Sequence, residues 1–452
     1  MTHSGLTRAV LAGFRHPAQV VAAAFAVAIT AGTALLSAPF ATTDGRPADL
    51  LDAFFTATSA VCVTGLATVD TAAHWSPLGQ IVILALVQAG GLGIMTLATL
   101  LAVLVTGRLG LRARMLAQAE TKTMQLAGLR RLVGQVAAFS LTAEAIIAVV
   151  LAARFSAGYG EPYGRAAYLG VFHAVTAFNN AGFALWPDSL VRFASDPWIC
   201  LPVAAAVIVG GLGFPVVFEL ARSWRRPRTW SVLTRLTVTI TALLLVCGTL
   251  TITAAEWSNP ATLGALNRDD RLLAGFFTGA MPRSAGFNSL DITQLHPSSL
   301  LVIDALMFIG GGSAGTAGGI KVTTLGVLAF VVWTELRGES RVNVGRRRLG
   351  EGVQRQALAV ALLGLTLAAT ATYLLMLFTP HRLELVLFEA ISAFATTGLS
   401  VGVTAELAPP GQVLIALLMF IGRVGPLTLF SALALRERTR HYELPEERTI
   451  VG

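Results

Sequence analysis

The sequence predicts an all-α integral membrane protein with eight transmembrane helices. Three observations carry that expectation: the composition, a set of long apolar runs, and a segment that recurs four times between them. Of 452 residues, 54% are hydrophobic and 13% charged, with a mean hydropathy of +0.69. That leaves too little polar surface for a soluble globule of this size. A formal charge of +8 and a pI near 10.1 would suit a nucleic-acid binder, but the basic residues sit in short stretches between apolar runs. Membrane-protein loops have that pattern, so no nucleic-acid partner is expected. Cys62, Cys200 and Cys247 show no paired spacing, so a disulfide framework is not expected either.

Runs long enough to cross a hydrocarbon core, about 20 residues each, lie near residues 17 to 40, 80 to 105, 132 to 153 and 199 to 220. Four more lie near 231 to 255, 300 to 333, 355 to 378 and 412 to 435. Arginines collect in alternate connections: Arg108, Arg112, Arg114, Arg130 and Arg131, then Arg222, Arg225, Arg226, Arg228 and Arg235, then Arg337, Arg341, Arg346, Arg347, Arg348 and Arg355. The tail adds Arg436, Arg438, Arg440 and Arg448. The positive-inside rule places these loops and both termini in the cytoplasm. Residues 1–16, with Arg8 and Arg15, read as a cytoplasmic lead-in and not as a cleaved signal.

The other connections hold a fourfold repeat. It reads FTATSAVCVTGL from Phe55, FHAVTAFNNAGF from Phe172, FFTGAMPRSAGF from Phe276 and FEAISAFATTGL from Phe388. Each has Phe ten residues before a glycine, namely Gly65, Gly182, Gly286 and Gly398. Each glycine is followed by a large apolar residue, and a small residue (Ser59, Thr176, Ala280 or Ser392) lies six before it. The unit is therefore helix, re-entrant segment, helix. Four such M1-P-M2 pore-loop repeats around one central pore span residues 17–107, 132–221, 231–336 and 354–436, with a C-terminal tail at 437–452.

The stretch before each glycine is too short to span, so it reads as a half-crossing helix whose C-terminal partial charge favours a cation. Extended backbone follows, and at membrane depth it is tolerated only where it is buried or lines a water-filled cavity. Inward carbonyls there can replace an ion's hydration shell. The extended stretches that end in the four glycines contain no Asp or Glu to build a charged ring, which favours a weakly hydrated monovalent cation over a divalent one. Arg283, three before Gly286, has to point away from such a pathway or pair with an acid.

At these residues the chain resembles the Trk, Ktr and HKT superfamily of potassium transporters, and within it the KtrB-like membrane pore subunits. The resemblance covers nearly the whole chain. It implies a potassium-binding filter at Val61, Cys62, Val63, Thr64 and Gly65; at Asn179, Asn180, Ala181 and Gly182; at Arg283, Ser284, Ala285 and Gly286; and at Ala395, Thr396, Thr397 and Gly398. Pro282, Ala395 and Thr397 depart from the family's usual residues. Six glycines in the ten residues 310–319 cannot hold a stable helix. This run resembles the family's intramembrane gate loop, made here of Gly310, Gly311, Gly312, Ser313, Ala314, Gly315, Thr316, Ala317, Gly318 and Gly319, with Lys321 beside it. It also satisfies GxGxxG, but no βαβ unit surrounds it, so a dinucleotide site is excluded. Arg423, inside the last apolar run, matches an arginine that lies near the loop and blocks leak.

The resemblance further implies potassium uptake in the plasma membrane by a homodimer, set in membrane lipid and opened by a cytoplasmic RCK-type, KtrA-like ring. Nucleotide is expected only on that partner. This chain is expected to bind no cofactor and no metal beyond the transported monovalent cation; potassium is its substrate. Sodium conduction or sodium/potassium cotransport is the alternative within the family, against which Gly65 argues. A membrane enzyme is the alternative of another class. The histidines lack ligand spacing, and neither a nucleophile–base constellation nor a Walker motif appears.

Overall fold

The structure is a computed structural model and describes residues 17–93, 129–339, 341–344 and 347–425. The expected lead-in, the second half of the run at 80 to 105, the loop through Arg108, Arg112, Arg114 and Lys122, Arg346, the end of the last run and fourth repeat from 426, and the tail at 437–452 lie outside the described residues. The chain is mostly helical: α1 Pro17–Leu36, α2 Leu50–Val61, α3 Pro77–Gly91, α4 Leu129–Tyr159, α5 Tyr163–Phe178, α6 Pro197–Leu212, α7 Phe214–Ser223 and α8 Val232–Glu256. There follow α9 Arg268–Ala280, α10 Pro297–Phe308, α11 Val322–Leu336, α12 Glu351–Met376, α13 Leu383–Phe394 and α14 Pro409–Val424. A two-residue hairpin, β1 Asn343–Val344 with β2 Arg347–Arg348, precedes α12.

Not every apolar run becomes one continuous helix. Among the described residues, three helices are long and apolar enough to cross a membrane, at Val133–Tyr159, Val232–Glu256 and Glu351–Met376. Counting the bent pair α6 and α7 as one span makes four, and the remaining apolar helices are shorter. The run at 199 to 220 turns by 103° between α6 and α7, at Gly213, where φ is +93°. A β-carbon is disfavoured at that dihedral, and Pro215 can sit only in the first turn of the next helix. The run at 300 to 333 divides into α10 and α11 around residues 309–321.

Local chemistry starts these helices where they start. The second helix of each unit, after the recurrent glycine, opens on a proline, at Pro77, Pro197, Pro297 and Pro409. The fixed φ suits the first turn, and the missing N–H is one that a helix start leaves unpaired anyway. Ser76 Oγ accepts from Gly79 N–H, and Asp196 accepts from Trp198 N–H, capping two of the four.

The helices before the recurrent glycines are 12 residues (α2), 16 (α5), 13 (α9) and 12 (α13) long. At 1.5 Å per residue that is about 18 to 24 Å, short of the roughly 30 Å core. Each packs on the long helix before it and on the second helix of the preceding unit: α5 on α3, α9 on α6, α13 on α10, and α2 on α14. The last contact closes the four units into a ring. Phe55, Phe172 and Phe388 are buried inside it, but in the third unit Phe277 is the fully buried ring and Phe276 is only partly covered. That unit is shifted because α9 ends six residues before its glycine, whereas the others end four before. Pro282 lies in the extra turn.

Candidate functional site

The four half-length helices end at four segments that share one backbone signature. The residue two before each glycine is left-handed, with φ +57° at Val63, +60° at Asn180, +76° at Ser284 and +47° at Thr396. The glycines themselves stand at +92°, +67°, +73° and +92°. The segments are therefore not the simple extended chain that sequence reasoning expects; residues of positive φ alternate with residues of negative φ. Such alternation gathers successive N–H groups on one side of the chain and leaves the carbonyls for the other. A β-branched residue such as Val63 in this region is strained, and such strain persists only where the surroundings over-determine it.

The segments meet in a closed ring. A β-carbon on Gly65 would strike the Ala181 carbonyl oxygen, and one on Gly182 would come within 2.8 Å of the Ala285 oxygen. On Gly286 it would come within 2.6 Å of the Thr397 oxygen, and on Gly398 it would strike the Thr64 oxygen. Each glycine thus admits the carbonyl of the next segment, and the fourth segment returns to the first. Below the ring, Thr64 N–H donates to Ser59 O (2.8 Å), Ala181 to Thr176 O (2.7 Å), Thr397 to Ser392 O (2.8 Å) and Ala285 to Met281 O (3.1 Å). The hydroxyls of Ser59 and Ser392 also accept from Gly65 and Gly398 N–H, at 3.0 and 3.1 Å. Ala280 has no hydroxyl to do so in the third unit.

Val61, Cys62, Asn179 and Ala395 lie at the ends of their helices, and every candidate filter residue is buried except Gly65, which is half-buried. Arg283 turns away toward α8, where its guanidinium donates to Thr241 O (3.3 Å) and Thr241 Oγ1 (3.1 Å). Its ion-pair question is thereby answered: among the described residues it forms no salt bridge.

Residues 309–321 form a loop closed at its neck by Gly310 N–H to Ile320 O (2.8 Å) and Val322 N–H to Gly311 O (3.0 Å). Its body docks on the α6–α7 bend, through Gly312 N–H to Gly211 O (2.7 Å) and Phe214 N–H to Ala314 O (3.2 Å). Ser313 Oγ lies 2.9 Å from Thr323 Oγ1, and Lys321 Nζ donates to Ala317 O (2.7 Å). Its glycines serve contact: β-carbons on Gly310 or Gly312 would collide with the Gly318 or Leu212 carbonyl. The Arg423 guanidinium reaches the same loop, donating to the carbonyls of Thr316 and of Gly90 on α3.

Two features escaped sequence reasoning. Gly90–Gly93 and Gly210–Gly213 both read GGLG, and Gly422–Gly425 reads GRVG. In each, the first glycine admits a half-helix carbonyl, from Val61, Phe178 or Phe394, and the last is left-handed. Arg423 occupies the place of Gly91 and Gly211, and the spacing of this motif was the available signal. The second feature is a pair of buried acids. Glu144 on α4 accepts from Gln88 Nε2 and Asn179 Nδ2, both at 3.0 Å, and clasps the second segment. Glu389 on α13 accepts from Ser400 Oγ (2.5 Å), Val401 N–H (3.0 Å) and Thr404 Oγ1 (2.6 Å). A lone acid in an apolar run is itself a signal of a specific role. Glu389→Ala, which strands two buried donors and the half-buried Ser400 hydroxyl, is expected to cost about 3 kcal/mol, seen as a lower melting temperature of the purified protein. Glu389→Gln is expected to recover most of the loss.

A sequence family described as "TrkH: Cation transport protein" matches residues 6–439. The Ktr system potassium uptake protein B of Bacillus subtilis is 40% identical over 436 residues, covering 96% of this chain and 97% of that protein. The potassium/sodium uptake protein NtpJ of Enterococcus hirae is 35% identical over 442 residues, covering 96% and 97%. In fold, the chain is similar to the crystal structure of the potassium transporter TrkH from Vibrio parahaemolyticus, with a TM-score of 0.68 over 91% of this chain and 84% of that one, at 18% identity. With apolar helices, a closed fourfold ring and a family match over nearly its full length, the chain belongs to the TrkH family of multi-pass membrane cation transport proteins.

Proposed function

We propose that this chain carries potassium into the cell through one channel-like pathway in the bacterial plasma membrane, crossing the bilayer eight times with both termini in the cytoplasm. The observation that carries this reading is the ring in which each of Gly65, Gly182, Gly286 and Gly398 admits the carbonyl of the next segment. Carbonyl oxygens brought together at the C-terminal ends of four half-helices can replace the hydration shell of a monovalent cation. In this reading the filter is Val61–Gly65, Asn179–Gly182, Arg283–Gly286 and Ala395–Gly398, although Arg283 contributes only backbone. The loop at 310–319, Lys321 and Arg423 form the gate. A homodimer and a cytoplasmic regulatory subunit complete the assembly; the Ktr system named in the Bacillus relative supports the second.

A second reading is uptake of both potassium and sodium, supported by the name of the Enterococcus relative. The protein reconstituted in liposomes is expected to take up rubidium-86, with potassium competing at least tenfold better than sodium or lithium. Equal competition by sodium would favour the second reading, and no uptake with a leak-positive control would overturn both.

A further inference from the structure

The loop at 309–321 contacts three of the four left-handed positions of the ring and is linked to the fourth through Arg423. Asn180 Oδ1 accepts from Thr316 Oγ1 at 2.9 Å. Ser284 Oγ accepts from Gly318 N–H at 2.8 Å and itself donates to the Thr396 carbonyl, at 3.1 Å, in the neighbouring segment. The Thr396 side chain packs on Gly318, where a β-carbon would collide with its Oγ1. Val63 lies against Gly90, whose β-carbon would come within 2.8 Å of Val63 Cγ2; the Gly90 carbonyl accepts from Arg423, which also holds the Thr316 carbonyl. Three segments therefore touch the loop directly and the first reaches it through Arg423. Of the four residues, Ser284 alone has one hydroxyl bonded both to a loop N–H and to the backbone of another segment.

We propose that Ser284 is a specificity-determining positioning residue: its hydroxyl makes the spacing of the third and fourth segments depend on whether the 309–321 loop is seated, so that ion preference follows the state of the loop. The inference rests on the reading of the ring as filter and the loop as gate. Its physical basis is that a hydroxyl with both a donor and an acceptor partner is fixed in orientation. Once Gly318 withdraws, the hydroxyl is free to rotate, and the Thr396 carbonyl loses an oriented donor. A left-handed serine, held off its preferred backbone region, relaxes most readily when that contact is lost.

The test uses the full chain in liposomes and reads the ratio of potassium to sodium competition for rubidium uptake, in the intact protein and in one lacking Gly311 to Ala317. Ser284→Ala is expected to lower the ratio about fivefold in the intact chain, the order of one hydrogen bond. In the deleted chain, whose parent ratio is already lowered, the further loss is expected to stay below twofold. An equal fold loss in both backgrounds would show that the hydroxyl acts within the ring alone and would overturn the proposal, as would no loss in the intact chain. Thr316→Val removes the Asn180 bond without altering a ring residue and is expected to lower the ratio in the same direction. If it raises flux while leaving the ratio unchanged, the loop is a plug without influence on preference. Failure of the gate reading is separately visible, because the deletion would then leave total flux unchanged.

Discussion

Gly65→Ser is expected to abolish the preference for potassium over sodium, lowering the competition ratio in rubidium uptake by at least tenfold. The residue stands at φ +92°, and its missing side chain leaves the space entered by the Ala181 carbonyl of the next segment. A serine there carries two penalties: a left-handed backbone unfavourable for any residue with a β-carbon, and a collision with the carbonyl oxygen of Ala181, a residue whose N–H donates to Thr176 O. The ring has to widen or tilt at that joint, and carbonyl coordination is sensitive to such displacement. Gly338 is the matched control, since it stands at φ +67° and a β-carbon there would meet nothing within 4 Å. Gly338→Ala should carry backbone strain alone and leave ion preference unchanged. If Gly65→Ser also leaves it unchanged, residues 61–65 do not line the pathway.

The second large effect is expected from Arg423→Ala, which should raise potassium flux through the partner-free protein by roughly thirtyfold. Its guanidinium joins the Thr316 carbonyl of the loop to the Gly90 carbonyl of α3, so one side chain ties the loop to that helix. Charged hydrogen bonds of this kind contribute about 2 kcal/mol, or a factor of about thirty in a seated–unseated equilibrium. Its positive charge also opposes a cation beside it more strongly in a low-dielectric channel than in water. Arg423→Lys separates the two contributions, because an ammonium keeps the charge but lacks the planar fork that serves two carbonyls at once. An intermediate flux is expected. Equal leak from Ala and Lys would assign the block to the latch and not to charge, and no leak from either would remove Arg423 from the gate.

Much of the architecture could be read from residue spacing. Phenylalanine and glycine ten apart, recurring four times between apolar runs, located the half-length helices, since a short apolar stretch ending in glycine has few other uses at membrane depth. The left-handed positions two before each glycine were hidden by the residues that occupy them. Of Val63, Asn180, Ser284 and Thr396 only the asparagine belongs to a type enriched at positive φ, and for valine and threonine propensity argues against it. There tertiary packing overrides local preference. The 103° turn at Gly213 was masked because hydropathy is blind to direction, and an apolar run looks the same bent or straight. Arg423 was visible as a charge in an apolar run and by resemblance, but its two carbonyl partners lie 107 and 333 residues away, beyond any local pattern. Glu144 and Glu389 carry the same signal as Arg423, an ionisable group in an apolar stretch, and call for the same reading.

The contact of Gly398 with the Thr64 carbonyl, together with the packing of α2 on α14, makes the first unit wait for the last. During synthesis the first segment leaves the ribosome more than three hundred residues before its final neighbour, so the nascent chain holds an open arc with two unpaired polar edges. Closure therefore depends on contacts of very high sequence separation, the kind that form slowly and leave intermediates exposed. A chain truncated before α13 would lose both joints made by the fourth segment and keep two of the four, and on the proposed reading of the ring as filter it is expected not to select ions, however well its remaining helices insert.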